Sequence, residues 1–573
     1  MANEGLQDRI RRRLEFLYGH EAAPAVLSDV LSVVARHKPP PRRRRRWDEN
    51  DALLITYADT LLEDGVPPLE TLRRFLESRV GDLVTFVHVL PFYPYSSDDG
   101  FAVKDSRQVN VALGDWGHIE RLAKRYRLVF DAVINHVSAS SVYMERYAAG
   151  DPAFADFFIA LPPDTDTSKV LRTRNLPLLH DYDTSAGRKW LWTTFGRDQV
   201  DLNFANPRVL LEILDVLLFY ASKGAAAVRL DAVPYLWKKL GTPCAHLPET
   251  HEVIKLIRDV YDLACPDVLL ITETNAPHDE NVSYFGDRGD EAQIVYNFTL
   301  PPMILLAVAT GDSRRLSQWA SAVRKVSDRA TYLNITATHD GIGMRPTEGI
   351  LSEAERKTLI DLALAHGGQV TGRRNPDGSL SPYELNVNYF DAVNDPNVPE
   401  PLDVEVKRFM VSQAIPLSFI GIPAVYIHSL LGSRNDAAAV KETGIARRIN
   451  RARMRPSDVE NALADPASLR SRVFAEYTRL LAVRRRERAF HPDSPQEVID
   501  LGPSVFALRR ASAESGESIV ALHNLSNNAL DLDVHDALRG VSTVDLLDSS
   551  RKVESSGFFH LEAYQVTWLK QAL

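Results

Sequence analysis

Cysteine is nearly absent, with Cys244 and Cys265 the only two thiols in 573 residues. Two residues cannot build a disulfide framework, and no CxxC pair offers a structural zinc site, so a reducing, cytoplasmic setting is the expectation. Also missing is any run of 18 apolar residues, the length an ordinary spanning helix needs. The opening MANEGLQDRIRRRLEF lacks an apolar stretch of signal-peptide length. Basic charge is not in excess either. Against 67 Lys and Arg stand 76 Asp and Glu, a formal net charge of -9, so neither nucleic acid nor a membrane surface is an expected partner. The one concentrated charge block, PPPRRRRR at 39–46, reads as a solvated linker and is assigned no function. What remains is ordinary for a globular protein, 45% hydrophobic and 25% charged, in a length that suits one large barrel with appended modules.

Residues 1–48 read as a helical extension, with Ile10, Leu14, Leu17 and Tyr18 recurring at helical spacing. After Trp47 short apolar runs alternate with amphipathic helical stretches, the pattern of parallel βαβ units. Strands are expected at 53–57, 85–90, 128–134, 226–230, 268–271, 294–298, 332–337 and 424–427. Eight such strands predict an α/β chain built as a (β/α)8 TIM barrel, covering 49–136 and 206–490. The helix before the fourth strand carries its own bounds: Asn206 as N-cap, Pro207 at the first helical position and Gly224 as stop. Two insertions interrupt the alternation. One, at 137–205, is aromatic-rich and reads as a small subdomain; the other, at 366–398, is full of turn signals such as Asn375-Pro376-Asp377-Gly378. Over 491–573 apolar runs at 505–508, 519–522, 544–547 and 564–569 separated by Gly, Asn and Ser turns predict a terminal antiparallel β domain.

In a parallel barrel the C-terminal strand ends share one mouth, so polar groups there are candidates for chemistry. The third expected strand ends in Asn135-His136, the fourth in Arg229-Leu230-Asp231, the fifth in Thr272-Glu273 and the seventh in Thr338-His339-Asp340. One acid at a strand end is commonly an N-cap, but three in one barrel suit glycosyl transfer, where one carboxylate attacks the anomeric carbon and a carboxylic acid protonates the departing oxygen. Arg229 lies two residues before Asp231 and so shares its strand face, which would keep Asp231 ionised as the nucleophile. Glu273 follows the apolar run Val268-Leu269-Leu270-Ile271, where partial burial would raise its pKa and make it the acid. Asp340 is then the third carboxylate, an electrostatic stabiliser of the transition state.

The segments DAVINH (131–136), VRLDAV (228–233), ITETN (271–275) and TATHDGIG (336–343) resemble, in order and spacing, the four conserved regions of the α-amylase superfamily. LGSRND (431–436) and INR (449–451) resemble its sucrose phosphorylase subfamily, and LPFYPYSSDDGF (90–101), LWTTF (191–195), ITETNAPH (271–278) and SPYELNVNY (381–389) the glucosylglycerate phosphorylases within it. The resemblance implies that Asp98 and Arg451 hold the far hydroxyls of a glucosyl unit and that His136, Arg229, His339 and Asp340 complete that subsite. It implies an aromatic platform of Phe101 and Phe195, Gln199 on the acceptor side, and Arg174 and Tyr383, with Glu384 beside it, at a phosphate site. Glycerate carries a carboxylate for which a guanidinium is the natural partner; Arg373, Arg374 and Arg434 are the candidates. The implied activity is reversible, retaining phosphorolysis of 2-O-α-glucosylglycerate to α-glucose 1-phosphate and glycerate. Its co-substrate is inorganic phosphate, with no metal and no organic cofactor, in a monomer or homodimer. Sucrose, sucrose 6-phosphate or glucosylglycerol are the alternative substrates; a hydrolase or a non-catalytic binding protein are the readings further off.

Overall fold

Short runs of β-branched and aliphatic residues, buried on both faces, form the centre of the molecule. The computed structural model describes residues 2–37, 46–375, 377–539, 541–553 and 557–571; the expected linker at 39–45 and Pro376 of the expected turn lie outside them. Strands β1 (Leu53–Thr56), β2 (Phe86–Val89), β3 (Arg127–Val133), β4 (Ala225–Asp231), β5 (Leu269–Thr272), β6 (Ile294–Tyr296), β7 (Thr331–Asn334) and β8 (Ile422–Tyr426) close into one barrel in chain order. All neighbouring pairs are parallel. Each of the eight expected strands is present, with ends shifted by a few residues.

Register aims the functional residues. Asp131 pairs with Arg229 and Val133 with Asp231 across β3 and β4, while Leu230 pairs with Thr272 across β4 and β5. Asp231 and Glu273 are thus each one residue beyond a matched pair, at adjacent strand ends. The helix Pro207–Ser222 that feeds β4 starts as its sequence dictates: the Asn206 side chain accepts from the Arg208 N–H at 3.0 Å, with Pro207 following the cap.

The N-terminal helices Ala2–Tyr18 and Ala23–Arg36 bury Ile10, Leu14, Val26 and Val30 in the same apolar core as the barrel. Arg13 Nε and Arg9 Nη2 each reach Asp259 at 2.7 Å on the barrel helix Pro248–Ala264. In the first insertion His136–Ser138 pairs with Gln199–Asp201, and Leu179–Thr184 forms a hairpin with Gly187–Trp192. The second is more ordered than its turn signals suggest. Gln369–Arg374 and Leu380–Asn386 make a hairpin that continues onto Ile342–Gly343, just after β7, and so delivers Tyr383 and Glu384 to the barrel mouth. At the C-terminus a six-stranded antiparallel sheet packs on the barrel. Buried Arg510 fastens that contact, donating to the carbonyls of Ser418, His491 and Ser494 at 2.8, 2.8 and 3.0 Å. Among the described residues no helix is long and apolar enough to cross a membrane.

Candidate active site

One cavity opens at the C-terminal mouth of the barrel. Asp231, Glu273 and Asp340 all line it, together with Asp98, Phe101, His136, Arg174, Phe195, Gln199, His339, Tyr383 and Glu384. Of the expected site residues, Arg229, Arg373, Arg374, Arg434 and Arg451 are not on its wall.

Arg229 works from beneath. Its Nη1 donates to Asp231 Oδ1 at 3.0 Å and also bonds Asp131, while Nη2 stands 3.9 Å from Glu273 Oε2. Glu273 Oε2 further accepts the N–H of Ala232 at 3.3 Å, an amide presented because Ala232 takes a left-handed φ of 53° directly after the strand. Asp131 is fully buried and is held in turn by His88 Nε2 at 2.7 Å. One guanidinium therefore serves three carboxylates, which corrects the expectation that it would simply keep Asp231 ionised. Burial pushes the Asp231 carboxyl well above its usual range; Arg229 pulls it back, and the charges of Glu273, Asp131 and Asp340 push it up again. Glu273 is raised by the same burial and by Asp340, with Arg229 opposing. Two carboxyls that cannot both ionise cheaply share a proton as a coupled pair. Of the two, Asp231 has the direct bond from Arg229, which favours the charge there, while Glu273 meets that guanidinium only at 3.9 Å.

Asp340 is the opposite case. Burial works against its ionisation, but Arg447, His339, Arg451 and Arg229 outweigh it and hold the carboxyl below the usual range. Arg447 Nη1 lies 2.7 Å from Asp340 Oδ1, and its Nε and Nη2 hold Glu384 at 3.0 and 2.6 Å. Sequence reasoning missed Arg447, which does line the cavity. Its signal was present, four residues before Arg451 in the short 3-10 stretch Ala446–Asn450. Arg451 sits behind Asp340, donating to His339 O at 2.7 Å and Asp99 Oδ2 at 2.6 Å, and reaching Asp340 only at 3.4 Å.

The far wall is shaped by a strained turn. Asp98 and Asp99 take left-handed φ values of 52° and 51°, and a Cβ on Gly100 would sit 2.7 Å from Pro91 O, so only glycine fits there. This turn brings Asp98 within 3.2 Å of Gln199 Nε2 and lets His136 Nε2 donate to Phe101 O at 3.0 Å. Phe101 stacks flat on His339, centroids 4.9 Å apart. Burial lowers the pKa of both His136 and His339, leaving neutral imidazoles suited to hydroxyl groups. Phe195 tilts over His136 at 5.2 Å. Between Phe195 and Tyr383, at 5.7 and 5.4 Å from their ring centroids, lies the Arg174 guanidinium.

The expected acceptor arginines are engaged elsewhere. Arg434 bonds Asp391 at 2.9 Å and Glu405 at 2.8 Å over the Phe390 ring, Arg373 reaches Glu348 at 3.1 Å, and Arg374 is exposed on the hairpin. Each is placed by acids or solvent that its sequence neighbours do not reveal. Tyr235, Thr274 and Asn275, unassigned from sequence, also line the cavity.

Comparison with known proteins agrees with this architecture. The Alpha-amylase family, described as alpha amylase, catalytic domain, matches residues 82–341. A glucosylglycerate phosphorylase of Spirochaeta thermophila is 43% identical over 98% of this chain and 98% of its own. Another, of Allomeiothermus silvanus, is 47% identical over 91% of this chain and 93% of its own. The crystal structure of a sucrose 6F-phosphate phosphorylase from Thermoanaerobacter thermosaccharolyticum superposes with a TM-score of 0.73 at 24% identity, covering 84% of this chain and 96% of that one, a likeness of fold. By near full-length identity and by the barrel that carries its acids, the chain belongs to the glucosylglycerate phosphorylase family of α-amylase-type proteins.

Proposed function

We propose that this protein catalyses reversible phosphorolysis of 2-O-α-D-glucosylglycerate to α-D-glucose 1-phosphate and D-glycerate, with net retention and without metal or organic cofactor. The observation that carries the reading is the pair Asp231 and Glu273 in one cavity, joined through Arg229 and the Ala232 amide. Asp231 attacks C1 as the bond to the glycerate oxygen breaks, and Glu273 gives that oxygen its proton. Phosphate then attacks C1 of the glucosyl ester, freeing Asp231, while Glu273 takes up the proton from the phosphate. A nucleophile and acid about 5–5.5 Å apart is what such double displacement needs. Asp340, held ionised by Arg447, stabilises positive charge developing at the ring. Asp98, His136 and His339 receive the sugar hydroxyls over Phe101, and Arg174 beside Tyr383 receives phosphate.

The substrates are small molecules and the proposed setting is the cytoplasm, in keeping with its two free cysteines. The test is incubation with glucosylglycerate, with and without phosphate. Glucose 1-phosphate of α configuration appearing only with phosphate, and lost in Asp231→Asn, is the expected result; free glucose at equal rate in both tubes would make the protein a hydrolase.

A further inference from the structure

Arg345 is a buried cation near the site whose bonding is incomplete. It opens the turn Arg345–Thr347 just after the strand Ile342–Gly343, and its side chain is 5% exposed. Its acidic partner Glu280 stands 3.3 Å from Nη2, is 44% exposed, and is shared with His246 at 3.1 Å. Among the described residues Nε and Nη1 are buried with no hydrogen-bond partner. Glu348, the next acid beside it, accepts from Arg373. Buried unpaired N–H groups cost free energy, and a bound ligand or water that accepts from them removes that cost.

The surroundings say which ligand. Tyr235 and Tyr383 stand beside Arg345 and also wall the cavity. Thr274 Oγ1 and Asn275 Oδ1, on residues that line the cavity next to Glu273, are likewise buried without partners. A Cβ on Gly343 would come 2.5 Å from Asn275 Oδ1, so the segment leading to Arg345 packs directly on Asn275. Unpaired atoms thus sit on Thr274 and Asn275 at the cavity wall next to Glu273, and on Arg345 beside Tyr235 and Tyr383, one layer removed from that wall. Of the sequence-based candidates, Arg434 bonds two acids, and Arg373 bonds Glu348 and leaves only its Nε buried and unpaired, against two such nitrogens on Arg345.

We propose that Arg345 is the residue that recognises the carboxylate of the acceptor, with Thr274 and Asn275 serving its hydroxyls. The assignment rests on the phosphorolysis proposed above. It separates the two anions of the reaction: phosphate goes to Arg174, and the three-carbon acid to Arg345, whose Glu280 competes with the substrate carboxylate for the same guanidinium.

The test follows each half of the reaction. Exchange of labelled inorganic phosphate into glucose 1-phosphate, without glycerate, reports the glucosyl ester and the phosphate half. Transfer from glucose 1-phosphate to D-glycerate, with glycerol as an uncharged control, reports the acceptor half. In Arg345→Lys the KM for D-glycerate rises about tenfold or more and the preference for glycerate over glycerol collapses, while phosphate exchange stays within about threefold. In Glu280→Gln, a change at a half-exposed side chain, the KM for D-glycerate falls with exchange unchanged. Exchange and transfer falling together in Arg345→Lys, or a glycerate KM unmoved in both variants, overturns the assignment. If Arg345→Lys does not fold, Glu280→Gln decides: an unchanged or higher glycerate KM refutes it. Failure of the unaltered protein to exchange phosphate or to use glycerate removes the proposed function itself, a different outcome.

Discussion

Replacing Arg447 by glutamine removes a side chain that bonds both Asp340 and Glu384. Its Nη1 lies 2.7 Å from Asp340, and Nε and Nη2 grip Glu384 at 3.0 and 2.6 Å, in a setting where Glu384 is only 2% exposed. Deleting one partner of a buried ion pair strands the other, a change that costs about 3–5 kcal/mol. Part is recovered here, since Arg451 and His339 remain at 3.4 and 3.5 Å from Asp340. We therefore expect a loss of about 2–3 kcal/mol in transition-state stabilisation, roughly 30- to 150-fold in kcat/KM.

The pH dependence sharpens the test. Asp340 is depressed below the ordinary carboxylate pKa because Arg447 and its other cationic neighbours outweigh burial. A depressed carboxyl contributes stability that is present above the unfolded pKa and disappears as pH falls through the folded value. With Arg447 gone, burial dominates and the pKa of Asp340 rises, so the variant loses its third anion at a higher pH than the parent. The assay is phosphate exchange into glucose 1-phosphate from pH 5 to 8, alongside thermal unfolding. The acid limb of the rate profile should move upward in Arg447→Gln and the pH 7 rate should fall; a profile superimposable on the parent's, or a rate within threefold of it, refutes the role given to Arg447.

Glu273→Gln should slow phosphorolysis of glucosylglycerate by about 10²–10⁴ yet spare the first step with α-glucosyl fluoride, whose leaving group needs no proton; burst measurements with that donor check this. Arg434→Ala leaves Asp391, which is 2% exposed, with the Asn435 N–H but no cation, and should lower stability by about 1–3 kcal/mol in denaturant titration without changing the preference among acceptors. Arg510→Met takes the side-chain donor from the buried carbonyls of Ser418 and Ser494, the His491 carbonyl keeping the Ser494 N–H, and should cost about 2–4 kcal/mol, read as a lower unfolding midpoint, with the KM for every substrate unchanged.

The strands were legible in the sequence because a strand buried on both faces must be a short, nearly continuous apolar run, and those at 53–57, 128–134 and 226–230 are of that kind. The acids were legible for a related reason. A polar residue directly after such a run stands at the barrel mouth whatever else the chain does, so Asp231 and Glu273 were placed by local pattern alone. The helix cap at Asn206 is local too, needing only its own neighbours.

The arginines were decided by the tertiary structure. A guanidinium on a long flexible stem goes where a carboxylate waits, and the carboxylates that wait are remote: Arg451 meets Asp99 across 352 positions and Arg447 meets Glu384 across 63. Pairing set by closure of the barrel and by the hairpin Gln369–Arg374 and Leu380–Asn386 turned Arg434 and Arg373 away, brought Arg447 in, and left Arg345 incompletely bonded. Charge states followed the same rule. Sequence adjacency put Arg229 beside Asp231, but the fold added Asp131 and Glu273 to the same cation, and burial among competing anions opposes the ionisation that proximity along the strand favours.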